Sequence, residues 1–206
     1  MANNFFDQYI ENFYSKLITE DRDRLNLFSS LQIQIEGWFR GELLHFIDSY
    51  RNEPRIKELT TESREVAVKH KSRRKVDLRI EINNELYWIE LKHILIGKQK
   101  GNGFGLNDYF SKGTYIDNDI QKLNCLKANS AKTQHKFCLV FLSTNGWDNG
   151  NILQESNGKT QADTLGENIN KNLSKYKARN QIKSVPDYCA FKYSEDCNFG
   201  YFLFEV

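Results

Sequence analysis

Apolar residues near the start of the chain recur every three to four positions: Phe5, Phe6, Tyr9, Ile10, Phe13, Tyr14, Leu17 and Ile18. That spacing predicts an amphipathic helix. A second helix is predicted over residues 31–50, closed by the turn signal Asn52-Glu53-Pro54. From Glu65 the rhythm shortens to two. Val66 and Val68, then Val76, Leu78, Ile80 and Ile82, then Tyr87, Ile89 and Leu91 alternate with other residues as strands do. A glycine-rich loop over 97–113 leads to a helix predicted around 119–128. Residues 136–143, KFCLVFLS, are nearly all apolar, as in a strand covered on both faces. A polar loop over 145–166 precedes a basic helix over 165–179. Two closing strands follow, 188–193 and 201–206, with a loop around Asn198–Gly200 between them.

This order predicts a single α/β domain over 1–206, with a mixed β-sheet flanked by helices. Its parts are N-terminal helices in 1–54, a core in 55–143, and a C-terminal helix and strands in 144–206. A chain of 206 residues with 13% aromatics can build a core without a metal or disulfide staple. Cys125, Cys138, Cys189 and Cys197 lack the CxxC spacing of a zinc site and read as free thiols in a reducing compartment. The opening MANNFFDQYIENF has neither the basic start nor the apolar run of a signal peptide, and no apolar stretch approaches a membrane span. The expected location is the cytoplasm, with no membrane partner.

The stretch KVDLRIEINNELYWIELKHI, Lys75 to Ile94, carries the candidate chemistry. Asn83-Asn84 suits a two-residue hairpin turn, because Asn tolerates positive φ. If Ile82 pairs with Glu85, paired positions sum to 167, so Asp77 faces Glu90 and Lys92 lies on the same side. Facing carboxylates repel and need a positive charge between them. A hard divalent cation such as Mg²⁺ meets that need. A solvent-facing strand side with ordinary surface charges fits the alternation as well, and a one-residue slip would separate the two acids.

On the preceding helix, Leu31, Ile35, Trp38, Phe39, Leu43, Phe46 and Ile47 fill one arc, and Glu42 lies within it. A carboxylate there must be paired with a base or bind a metal. Glu36, nearer the edge of the arc, is the weaker candidate.

Together the residues resemble the restriction-endonuclease-like PD-(D/E)XK nuclease superfamily. The similarity rests on a helix carrying Glu (EGWFRGELLHF), then Val76-Asp77, then Glu90-Leu91-Lys92, then a helix entered through Asp119-Ile120-Gln121-Lys122-Leu123. Val76 stands where the name-giving Pro would be. The resemblance implies a restriction-endonuclease-like core and Mg²⁺-dependent hydrolysis of phosphodiester bonds, with Mn²⁺ able to substitute. It implies that Asp77 and Glu90 ligate the metal with the backbone carbonyl of Leu91, that Glu42 adds a carboxylate, and that Lys92 polarises the attacking water. The implied partner is nucleic acid, double-stranded DNA first, in a restriction or defence role. A homodimer would suit cutting both strands. The alternatives are an RNA-directed nuclease and a binding module that kept the fold but does not cut.

Formal net charge is only +2, yet it is unevenly spread. Residues 1–54 hold nine acids against five bases, whereas 69–75, KHKSRRK, hold five bases and no acid. Lys71, Arg73, Arg74 and Lys75, with Lys98 and Lys100 in the glycine-rich loop and Lys122 on the following helix, are the candidate phosphate contacts. Lys132 and Lys136, and the run from Lys171 to Lys183, add further positive charge. His93, next to Lys92, should point away from the site face and reads as a core or surface histidine.

Overall fold

A computed structural model describes residues 5–31, 33–49, 56–63, 75–82, 84–96, 106–126, 131–144, 161–183 and 192–206. Three helices open the chain: α1 (Phe5–Glu20), α2 (Arg22–Ser30) and α3 (Glu36–Ser49). Strands β1 (Ile56–Ser63), β2 (Val76–Ile82) and β3 (Glu85–Ile96) follow, then α4 (Leu106–Tyr109) and α5 (Tyr115–Asn124). The order closes with β4 (Gln134–Thr144), α6 (Gln161–Ala178), β5 (Lys192–Ser194) and β6 (Phe199–Glu205).

The six strands form one mixed sheet in the order β1-β2-β3-β4-β6-β5. Only β3 and β4 run parallel. The helices α1–α3 cover one face of the sheet with a core that includes Phe6, Phe13, Phe39, Leu78, Ile89, Leu91 and Phe141. Helices α4–α6 cover the other, where Trp88, Ile120, Val140, Leu173 and Phe202 are buried. Doubly covered strands explain the unbroken apolar run of β4, whose last eight residues are all buried. The chain is thus an α/β domain with a helix–sheet–helix layering. No described helix is long and apolar enough to cross a membrane.

The hairpin register matches the expectation. Leu78 pairs with Ile89, Ile80 with Tyr87, and Ile82 with Glu85, all summing to 167. Asn84 takes a φ of 68°, the left-handed conformation its side chain permits. Two N-terminal helices were expected where three occur. The polar segment RDRLNLFSS of α2 lacks a continuous apolar stripe, although it buries Leu25 and Ser29. Leu31 caps α2 and is 58% exposed, so it is no part of an apolar arc on α3. The β1 strand fills residues to which alternation assigned nothing, while the strand expected at Val66 and Val68 lies outside the described residues. Helix α5 begins four residues earlier than expected, at Tyr115. Part of the anticipated 97–113 loop is helical, as α4, and α6 starts at Gln161 inside the anticipated 145–166 loop.

Candidate active site at the end of the hairpin

The site lies where β2 leaves β3. Pairing of the two strands is recorded up to Leu78–Ile89, whereas β3 continues alongside β4 to Ile96. In an extended strand, every second N–H points to the same edge. Two such amides on β3 are therefore without a strand partner among the described residues, and carboxylates take them instead. Leu91 N–H donates to Asp77 Oδ2 at 2.9 Å. His93 N–H donates to Glu36 Oε2 at 3.3 Å. Helix α3 thus docks its first turn on the vacated edge.

A second contact fixes that docking. His93 Nδ1 lies 3.3 Å from the Ile35 amide and 3.1 Å from Gln34 Oε1, while Nε2 is hydrogen-bonded to Ser143 Oγ at 2.8 Å. Burial pushes the His93 pKa down to about 4, so the ring is neutral at ordinary pH. As expected, it faces the core rather than the carboxylates of the site.

Glu90 and Lys92 project from β3 toward α5. Glycine at 113, with φ 79°, and Asp117 set that helix: the Gly113 amide and the Gln121 side chain both donate to Asp117 Oδ2, at 2.7 and 2.6 Å. One turn on, α5 presents Asp119 and Lys122. Lys122 Nζ lies 2.5 Å from Glu90 Oε2, 3.7 Å from Asp119 Oδ1, and donates to the Lys75 carbonyl at 3.1 Å. Lys92 Nζ lies 3.1 Å from Glu36 Oε2 and 3.6 Å from Asp119 Oδ2. Arg40 on α3 stands 3.8 Å from Asp77 Oδ1.

Four carboxylates and three cations therefore share one small region, and the electrostatics follow from crowding. Burial, then the neighbouring Asp77 charge, pushes the Glu90 pKa up to about 9, against the opposing pull of Lys122. Burial likewise lifts Asp119 to about 6, although Lys92 and Lys122 pull it down. The Lys92 pKa is raised as well: burial alone would lower it, but Asp119 and Glu36 together lift it. Lys92 stays an ammonium.

The expected residues meet with two exceptions. Asp77, Glu90 and Lys92 converge as the register required. Glu42 does not join them: it sits 3.8 Å from Arg24, whose guanidinium also lies over the Trp38 ring. Arg24 comes from α2, the helix missing from the sequence reading, and the base–acid pair it makes is the alternative left open for Glu42. Glu36 is the helix carboxylate that reaches the site. Lys122 is the second exception: it is turned inward on Glu90 with only 15% of its side chain exposed, so it is no surface phosphate contact. Lys75 is exposed beside it. Lys71, Arg73, Arg74, Lys98 and Lys100 lie outside the described residues. Asp119 is a member that sequence reasoning did not assign, though its spacing of three from Lys122 in DIQKL puts both on one helix face.

The donor set suits a hard divalent cation. Glu90 Oε1 and Asp119 Oδ2 are buried and accept no hydrogen bond among the described residues, a costly condition for a carboxylate. Among the described residues, no group of three or more His, Cys, Asp or Glu side chains is arranged to hold a metal by itself. Mg²⁺ does not require one, since it keeps several waters and takes one or two carboxylates. Asp77 and Glu90, with the Leu91 carbonyl, are the residues that would hold it.

No protein-family model, curated protein or solved structure matches this chain.

Proposed function

We propose that this protein is a divalent-cation-dependent nuclease of the PD-(D/E)XK kind that hydrolyses phosphodiester bonds, with double-stranded DNA as substrate. The observation that carries the reading is the convergence of Asp77, Glu90 and Lys92 with a helix carboxylate, Glu36, at the point where the hairpin opens. In support, the elements that bring them together follow the order that the resemblance demands: Glu-bearing helix, hairpin, then a helix bearing DIQKL.

Bound Mg²⁺ or Mn²⁺ would supply Lewis acidity toward a phosphoryl oxygen and a lowered pKa for coordinated water. Asp77 holds negative charge that attracts the cation, and Glu90 would join it as a ligand on giving up its proton. Lys92, kept protonated by Asp119 and Glu36, is a fixed positive charge for the developing phosphorane oxygens and orients the attacking water by hydrogen bonding. Its charge rules it out as a proton acceptor at neutral pH. Glu36 positions it, holding Lys92 Nζ and the His93 amide with a single oxygen. Lys122, beside Asp119 on the α5 wall, balances Glu90.

The test is incubation of the purified protein with supercoiled, linear, branched and single-stranded DNA, and with RNA, in Mg²⁺ or in excess chelator. Cation-dependent cleavage of duplex DNA is the expected result. Cleavage confined to RNA would redirect the substrate class, and binding without cleavage on any substrate would make the chain a binding module.

A further inference from the structure

About one helical turn beyond Lys122, on the same face of the sheet, α5 and β4 border a cavity of about 600 Å³. Three lysines line it, and two are already paired: Lys132 with Glu81 and Lys183 with Glu205, each at 2.6 Å. The third is not. Among the described residues Lys136 has no carboxylate within 4.0 Å, and its Nζ donates only to the Leu126 carbonyl, at 3.3 Å. Burial, with the nearby charge of Lys183, lowers its pKa, as befits an ammonium lacking a counter-charge.

The neutral lining is equally incomplete. Both Nε2 and Oε1 of Gln134, and Oε1 of Gln181, are buried in the wall with no hydrogen-bond partner among the described residues. A primary amide offers a donor and an acceptor side by side, the combination that reads a base edge. Asn124 and Asn180 complete the lining with the buried apolar side chains of Leu126, Ile182 and Val206, and those three offer a surface for a flat ring. A cavity of this size falls in the usual range for small-molecule sites, about 300–1,000 Å³.

We propose that this cavity binds a nucleoside phosphate, with the phosphate on Lys136 beside the Glu205-paired Lys183, and the base edge on Gln134 and Gln181. Its source is either a free mononucleotide or one nucleotide unit of a polynucleotide lying across the site. The assignment rests on the cavity's own residues and stands apart from the cleavage reading.

The experiment is titration calorimetry of the full chain with AMP, adenosine, inorganic phosphate and a single-stranded octanucleotide. AMP is expected to bind at least about tenfold more tightly than adenosine or phosphate, since both ends of the ligand are held. Lys136→Met and Lys183→Ala should each weaken AMP about fivefold or more. Gln134→Leu should weaken AMP but leave phosphate unchanged. Lys183 is 54% exposed, so its variant keeps the result readable if Lys136→Met misfolds. Competition between octanucleotide and AMP, with shared sensitivity to these variants, assigns the site to a polynucleotide; AMP binding without competition assigns it to a free nucleotide. Asp77→Asn should leave AMP affinity intact. Absence of AMP binding at millimolar concentration, or AMP affinity unchanged in both lysine variants, overturns the proposal.

Discussion

Asp77 Oδ2 accepts the Leu91 amide of the neighbouring strand at 2.9 Å, so one carboxylate both closes the hairpin's open end and faces Glu90. These two roles separate by substitution. Asp77→Ala orphans the Leu91 amide and should cost about 2 kcal/mol in chemical denaturation. Asp77→Asn keeps an oxygen acceptor and should cost less than about 1 kcal/mol, yet lower cation-dependent cleavage by at least about 100-fold. An Asn variant that still cleaves at near wild-type rate would remove Asp77 from the chemistry.

The two helix glutamates make a paired test. Glu36 holds Lys92 and the His93 amide, whereas Glu42 faces Arg24. Glu36→Gln should lower cleavage about 10- to 100-fold, in line with other residues that orient a reacting group. Glu42→Gln should stay within about threefold of wild type, because it removes only a partly exposed ion pair. The opposite ranking in a steady-state assay would restore Glu42 to the site.

Glu90 makes stability depend on pH. Its folded pKa, about 9, lies above the ordinary carboxylate value, so the folded state binds the extra proton. That contribution to stability is complete below about pH 4 and declines as pH rises through 9. Without added cation, Glu90→Gln should therefore be more stable than wild type at pH 8, by about 2 kcal/mol, with the advantage vanishing toward pH 4. Equal stability of the two proteins across this range would mean that Glu90 is ionised without strain in the fold.

Cation binding should carry the same signature. At pH 7 Glu90 holds a proton that a bound metal must displace, so Mg²⁺ or Mn²⁺ binding should release about one proton. Calorimetry in buffers of different ionisation enthalpy measures that number directly. Release should disappear in Glu90→Gln, and a wild-type value of zero would contradict the ligand assignment.

The hairpin was legible because its information is local. A turn residue able to adopt positive φ, with strict alternation on both sides, fixes a register, and the register alone brings Asp77, Glu90 and Lys92 to one face. Glu36 and Glu42 could not be ranked in that way. Which carboxylate of a helix reaches a sheet depends on how the helix docks, and here docking is set by His93, 57 residues away from Glu36 in sequence. The apolar wheel favoured Glu42 because it ignored α2, whose own pattern is too polar to announce a helix and which delivers Arg24 to that position. Lys122 misled for a related reason. Charge runs are counted along the chain, but α5 turns this lysine inward while Lys75 remains outside.

Lys92 is the most direct probe of the whole account, because it is a cation that ligates no metal yet is placed by Glu36 and Asp119 for the phosphate. Cleavage of supercoiled plasmid by wild type and Lys92→Met should be followed in Mg²⁺, with folding checked by circular dichroism. Wild type should cut only when the cation is present, and Lys92→Met, folded and still able to bind DNA, should be slower by at least about 100-fold. Undiminished cleavage by the folded Lys92→Met protein, or cleavage by wild type in excess chelator, would contradict it.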